Sequence, residues 1–253
     1  MLLFGIDFET NSVDVTTAEI TEIGGVLWDT ATKAPLRIFS TLVWHENMPT
    51  LSPDIEFLTG LTNPVLEDWG VSPVCALNDL VAHLEAEGLQ AVVAHNGTGF
   101  DKPLLENYAK RWGVEIPALH WIDTQLDIPF PAHVKTRKLT HLAAEHGFLN
   151  PFAHRAVFDV LTMFSVLSHY DAEHVLARSK EENIQLVAQT EKPWVDGGKS
   201  TGEAKARGFY WDGVLKLWLK TVKASQVAEE TASAPFTVGV LKNGRVEKSS
   251  GQA

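Results

Sequence analysis

The chain has 253 residues, 45% of them hydrophobic and 21% charged, with a net charge of −11; it is long enough for one sizeable domain with an appendage and apolar enough to bury a core. The acidic balance excludes a protein that coats nucleic acid through a broad basic surface, and no apolar run reaches the roughly 18 residues of a membrane span. The charge is uneven: residues 1–178 hold 10 Lys and Arg against 23 Asp and Glu, a balance of −13, whereas residues 179–253 hold 11 against 9, a balance of +2.

No basic start precedes a cleavable apolar segment, and the single cysteine, Cys75, has no partner for a disulfide or a zinc site. Both features lead to the expectation of a cytoplasmic protein in a reducing compartment. The first element, Leu2 to Thr10, is a short apolar run ending in two carboxylates, the pattern of a buried strand delivering acids to a cleft. A period of two places Asp7 and Glu9 on one face and Phe8 on the other. Two neighbouring carboxylates repel at neutral pH unless a cation lies between them, so the pair points to a divalent metal; the alternative is a solvated strand end.

Glu19–Trp28 and Leu36–Trp44 are β-rich runs joined by a turn-like spacer, which predicts an antiparallel meander with the first strand. Ser52 opens a short helix to about Thr59 that Gly60 stops, and Pro73–Glu87 reads as a longer amphipathic helix. Gln90–Ala94 predicts a buried strand, after which a Gly-rich turn leads into a helix from about Asp101 to Trp112. Asp101 stands where free backbone N–H groups and the helix dipole favour a carboxylate. Trp121–Thr124 predicts a short strand, Arg137–His146 a helix, and 153–170 a helix with Val157, Leu161, Phe164 and Leu167 at helical spacing. On that last helix His154 and Asp159 would lie about 140° apart around the axis. Both reach one cleft only if His154 sits at or before the helix start.

Beyond residue 180 the composition changes. Asn183–Ala188 predicts a strand, the stretch 194–202 (WVDGGKSTG) a Gly-rich connection, and Thr201–Arg207 a short helix. Phe209–Lys220 reads as a hairpin on an Asp-Gly turn, and Phe236–Lys248 as a second one around Asn243-Gly244, after an Ala/Ser/Glu-rich spacer. Phe209, Tyr210, Trp211 and Trp218 beside several lysines have the composition of a strand-binding platform, and equally that of a miniature core.

The acids Asp7, Glu9, Asp101 and Asp159 suit an oxygen-rich site for hard divalent ions that leaves positions open for water and phosphate. Two such ions about 3.5 to 4 Å apart clamp a phosphodiester. A free imidazole titrates at about 6.5 and can take a proton near neutral pH, which makes His154 the candidate general base.

Three segments carry these residues: Asp7-Phe8-Glu9-Thr10, then Asn96-Gly97-Thr98-Gly99-Phe100-Asp101, then His154-Arg155-Ala156-Val157-Phe158-Asp159. Together they resemble the three exonuclease motifs of the DEDDh branch of the DnaQ-like 3′ to 5′ exonuclease superfamily, over residues 1 to about 175. The resemblance implies an α/β fold, a ribonuclease H-like mixed sheet with flanking helices, here followed by a small C-terminal α+β appendage. It divides the chain into an exonuclease domain, 1–178, and an accessory module, 179–253. It implies Mg2+ or Mn2+, two ions, held by Asp7, Glu9, Asp101 and Asp159, with Asp7 bridging and His154 as the base. Phe8, Thr10, Leu58, Leu61, Asn96 and Phe100 would lie near the terminal nucleotide, and Arg155 is close enough in sequence to contact the incoming strand. The expected partner is the 3′ end of a single-stranded nucleic acid, DNA ahead of RNA, with a polymerase or other replication or repair assembly as a further candidate. The competing readings are an exoribonuclease of the same mechanism and a non-catalytic module that binds strand ends. One departure from the family pattern is visible: three residues, Gly97-Thr98-Gly99, separate Asn96 from Phe100-Asp101 where many relatives have two.

Overall fold

The computed structural model describes residues 1–131, 133–134, 136–189 and 202–248. The described residues up to Leu176 form one compact unit and those from Ala177 onward a second. The Gly-rich connection expected at 194–202 lies, up to residue 201, outside the described residues. Among those described, no helix is long and apolar enough to cross a membrane.

In the first unit, β1 (Leu2–Thr10), β2 (Ile20–Asp29) and β3 (Ala34–Leu42) form the expected antiparallel meander. Helices α1 (Pro53–Thr59), α2 (Asn63–Trp69) and α3 (Pro73–Leu84) follow, then β4 (Leu89–Ala94), α4 (Asp101–Trp112), β5 (Trp121–Asp123), α5 (Thr124–Asp127), α6 (Leu139–Glu145), α7 (Ala156–Leu167) and α8 (Ala172–Ser179). β4 and β5 add in parallel, so the sheet order is β3-β2-β1-β4-β5 and β1 has an antiparallel neighbour on one side and a parallel one on the other. Local chemistry sets the helix ends. Ser52 and Ser72 accept from the N–H groups of Ile55 and Cys75, and proline opens both helices. Gly60 closes α1 at φ +71°, a left-handed conformation that suits glycine.

The two faces of the sheet bury different sets. Phe4, Ile6 and Phe8 of β1 pack with Leu77 and Leu80 of α3 and Leu104 and Tyr108 of α4. Leu3 of β1 and Val26 of β2 pack on the other face with Leu142 of α6 and Val160 and Phe164 of α7. On this second face α7 comes very close to the strands. A Cβ on Gly5 would stand 2.4 Å from the Phe164 ring, and one on Gly24 would stand 2.2 Å from the backbone nitrogen of Val157. Two glycines on adjacent strands therefore let α7 rest on bare backbone, while Trp28 and Phe164 stack with ring centroids 4.9 Å apart.

The structure departs from the sequence reading at several helices, among them the short α5, which was not expected. The helix expected over 153–170 begins only at Ala156 because His154 takes φ +64°, which no α-helix accommodates. Helix α2 was not expected; Thr62 caps it and Pro64 stands in its first turn.

The second unit holds a five-stranded antiparallel sheet of order β10-β9-β6-β8-β7, formed by β6 (Asn183–Ala188), β7 (Tyr210–Asp212), β8 (Leu217–Lys223), β9 (Val238–Lys242) and β10 (Arg245–Lys248). Helix α9 (Glu203–Ala206) precedes β7, and α10 (Val227–Ser233) occupies the Ala/Ser/Glu-rich stretch. Both expected hairpins form. Asp212 caps the first turn by accepting from the N–H groups of Val214 and Leu215, and Asn243 and Gly244 turn the second with φ of +48° and +73°. The aromatic residues divide: Phe209 and Trp218 belong to the core with Leu186, Val222 and Phe236, whereas Tyr210 and Trp211 face outward.

Candidate active site

β1 is paired to β4 only as far as Gly5, so its last residues run on beyond the parallel neighbour. This is the place where an open sheet with a reversal of strand order offers a crevice. Asp7 and Glu9 stand on that stretch, on the same face as Gly5. The turn after β4 returns the chain to the same edge and starts α4 with Asp101, which is only 2% exposed. On that same face, the close seat of α7 on Gly5 and Gly24 brings Asp159, in the first turn of that helix, toward the strand acids.

The electrostatics of this convergence are severe. Burial pushes the Asp7 carboxyl well above the usual range, and Asp101, Glu9, Asp159 and Glu22 push it further. Glu9, 9% exposed, is raised to about 8 by burial and then by Asp159 and Glu22, with the Arg155 cation working the other way. Asp101 is also raised to about 8; burial is the main cause, the backbone N–H of Asp101 itself counters it, and Asp123 adds to it. Burial raises Asp159 as well, opposed by the His154 N–H. One oxygen of Asp101, Oδ1, is buried without a hydrogen-bond partner. Carboxylates crowded to this degree, one with an orphaned oxygen, fit a site built to receive cations.

His154 stands just before α7, which resolves the 140° problem posed by its spacing from Asp159. Its side chain is exposed, and it places a ring nitrogen within 4.8 Å of carboxylate oxygens of both Glu9 and Asp159. Among the described residues these three form a group able to hold a metal ion, and Asp7 and Asp101 fall outside its 4.8 Å limit. The turn is held by side-chain bonds. The His154 N–H donates to Asp159 Oδ2 at 3.0 Å, and Asn150 Nδ2 donates to Asp159 Oδ1 at 2.6 Å while its own Oδ1 accepts from the Phe152 N–H at 2.9 Å.

The residues expected near a terminal nucleotide separate into two groups. Leu58, Asn96 and Arg155 have exposed or half-exposed side chains, and Thr10 and Phe100 are half-buried. Phe8 and Leu61 are core residues: Phe8 packs between the sheet and α3 and α4, and Leu61 packs with Leu51 and Leu66. Their rings and branches therefore do not line the cleft. The alternation that aims Asp7 and Glu9 outward aims Phe8 inward. The guanidinium of Arg155 is engaged in a two-bond fork with the carboxylate of Glu22. Thr10 turns its hydroxyl onto the Ser12 carbonyl.

Three polar residues at the site carried no motif signal. Glu22 and Asn150 are two of them. The third, Asp123 at the end of β5, accepts from the N–H groups of Asn96, Thr98 and Gln125 and from the Thr98 hydroxyl, and so fixes the turn that aims Asp101. The extra residue in that turn is accommodated by Asn96 at φ +66°. A carboxylate at a strand end facing three backbone N–H groups was the available signal for Asp123, but only with the fold in hand.

The model of the RNase_T exonuclease family matches residues 4–167. A search of curated protein sequences found no significant match. Among solved structures, the chain is similar to Escherichia coli exonuclease I in complex with a dA16 oligonucleotide, with a TM-score of 0.59 and 13% identity over 74% of this chain and 48% of that one. It is similar to the nuclease domain of 3′hExo, a DEDDh family member, bound to rAMP, with a TM-score of 0.57 and 19% identity over 66% of this chain and 90% of that one. It is also similar to exonuclease I from Methylocaldum szegediense, with a TM-score of 0.57 and 15% identity over 75% and 48%. The chain spans about half the length of the exonuclease I structures it matches. The convergent acids, the histidine before α7 and the mixed sheet that carries them accord with the family match: the chain belongs to the RNase_T exonuclease family.

Proposed function

We propose that the first unit removes nucleotides from the 3′ end of single-stranded DNA, releasing nucleoside 5′-monophosphates. The observation that carries this reading is the crowding of Asp7, Glu9, Asp101 and Asp159, with raised proton affinities, around a cleft that an exposed histidine borders. Bound Mg2+ or Mn2+, two ions, would supply positive charge for the phosphate oxygens and acidify the attacking water. The four carboxylates would hold those ions, and Asp7, which feels the charge of all three others, would be the one shared between them. His154 accepts a proton from the water at a ring nitrogen as the water oxygen bonds to phosphorus and the bond to the 3′ oxygen breaks. An acidic first unit suits this chemistry, because the ions rather than a basic groove provide the local attraction for the strand end.

The exposed rings beside His154 support a strand with unstacked bases. Phe152 is 55% exposed and Phe158 37%, and their centroids lie 4.7 Å apart; aromatic faces of this kind stack bases without reading sequence. An RNA substrate is the second reading, favoured by the likeness to a nuclease domain bound to rAMP. Side-by-side digestion of end-labelled single- and double-stranded DNA and RNA tests both. The expected outcome is a ladder shortening from the 3′ end of single-stranded DNA that chelation or Asp159→Ala abolishes. Binding without turnover in Mg2+ and Mn2+ would replace the proposal with that of a strand-end binding module.

A further inference from the structure

We propose that Glu22 and Arg155 form the positioning pair of this site, a charge clamp on a buried carboxylate that seats the start of α7 on β2 and thereby sets where His154 and Asp159 stand against Glu9. The inference uses the nuclease reading for one of its readouts, and assigns residues outside both the metal set and the base.

The register of the first two strands places Glu22 opposite Glu9 and Gly24 opposite Asp7. Gly24 is the contact point for the helix: a Cβ there would stand 2.2 Å from the Val157 nitrogen and 2.3 Å from the Ala156 carbonyl carbon. Two residues back along β2, Glu22 closes the same junction from its side chain. Its carboxylate accepts from Arg155 Nε at 2.9 Å, from a terminal guanidinium nitrogen at 3.0 Å and from the Ala156 N–H at 3.2 Å. Arg155 is the residue that caps α7, and its own side chain makes no capping bond. Glu22 supplies from another strand the acceptor that the helix start lacks locally.

That acceptor is expensive to bury. The Glu22 side chain is 1% exposed and that of Arg155 38%, so the carboxylate is taken out of water while the guanidinium stays half-exposed, and the two-bond fork holds both in one geometry. The geometry it holds is that of the histidine. His154 keeps φ +64°, a conformation that persists for such a residue only where the surroundings impose it. Its N–H is tied to Asp159, and the next residue is tied to Glu22, so the strained residue is fixed from both sides. Arg155 also neutralises a fifth carboxylate beside the metal set and engages both its oxygens, which keeps Glu22 from competing as a ligand.

The test uses the full chain carrying Arg155→Ala, Arg155→Lys or Glu22→Gln, with digestion of a 3′-labelled oligonucleotide and calorimetric titration of Mn2+ as separate readouts. Arg155→Ala is expected to lower kcat by about 10- to 100-fold with KM little changed, the size of effect seen when a partner that orients a ligand is lost. Lysine, which keeps the charge but not the fork, should recover only part of that loss, and millimolar guanidinium should restore activity to the alanine variant. On charge alone, removing Arg155 leaves the site more negative and would tighten Mn2+; positioning predicts binding about tenfold weaker instead. Glu22→Gln keeps the shape of the side chain and serves if Arg155→Ala fails to fold; it should show the same kcat loss. Full kcat in Glu22→Gln, or Mn2+ bound more tightly by Arg155→Ala than by the unmodified chain, would overturn the clamp. An unmodified chain that digests no nucleic acid would overturn the nuclease reading, and the Mn2+ titrations would still judge the clamp.

Discussion

The two halves of the site are fixed by different means. Asp7 and Glu9 ride on β1, whose backbone is bonded along its length to β2, so their direction follows from the pleat and needs no side-chain support. His154 and Asp159 stand on a turn and the first residues of a helix, where side-chain bonds from Asn150, from Glu22 through Arg155, and from the His154 N–H do the holding. The contrast teaches where function is fragile. A change in the strand half alters charge and leaves geometry alone, whereas a change in the turn half alters geometry first.

The largest expected effect lies in the strand half. Asp7→Asn should leave the fold intact and reduce hydrolysis of a 3′-labelled oligonucleotide below detection, because it removes the carboxylate that faces the charge of all three others; near-normal turnover would refute the bridging assignment. In the turn half, His154→Ala should lower kcat by about 10^2- to 10^4-fold, the range of a general base. Activity in that variant should return in part at higher pH, where hydroxide replaces the lost base, and an unchanged kcat would remove His154 from the chemistry. Smaller again is the effect of Phe158→Ala. Losing one stacking face at about 1 to 3 kcal/mol per base should appear as a raised KM with kcat preserved, and an unchanged KM would mean that the ring only packs against Phe152.

The smallest effect concerns stability without metal. Glu9 and Asp101 hold their protons up to about 8 in the folded chain, far above their values in an unfolded one. The native state therefore binds more protons than the unfolded state between roughly pH 4.5 and 8, and stability must fall as pH rises through that window. Thermal melts in chelator should show Tm dropping from about pH 5 to about pH 8, with Mn2+ raising it most at the upper end. A flat or rising profile in chelator would show that the acids are better solvated than their burial indicates.

Much of this was legible in the sequence. Alternation in Leu2–Thr10, the Ser-Pro helix starts and the Asp-Gly and Asn-Gly turns each fix a local conformation, and the meander and both C-terminal hairpins follow from them. The acids and histidine were legible for the same reason: each ends a strand or begins a helix, and those positions are set by local chemistry. What stayed hidden depends on contacts between distant segments. Glu22 looked like one more strand residue, and its role exists only because residue 155 arrives beside it from 133 positions away. Arg155 looked like a free cation next to a motif, yet it has a buried partner. The family resemblance set Phe8 and Leu61 near the nucleotide, but the pleat and the packing of Leu51 and Leu66 send them into the core. The late start of α7, at Ala156 and not at 153, came from the backbone torsion of His154, which no side-chain pattern announces.

The seat of α7 on Gly24 has a consequence for how the protein can vary. A survey of every single substitution, scored by activity, would find position 24 among the least permissive, although it has no side chain, charge or hydrogen-bonding group of its own to lose. Every replacement adds an atom where backbone already stands, and the helix that would have to move carries Asp159, with His154 just ahead of it. The tolerance of this site to mutation is thus narrowest at a residue that does nothing chemical, and a change there would spare all four carboxylates while separating them.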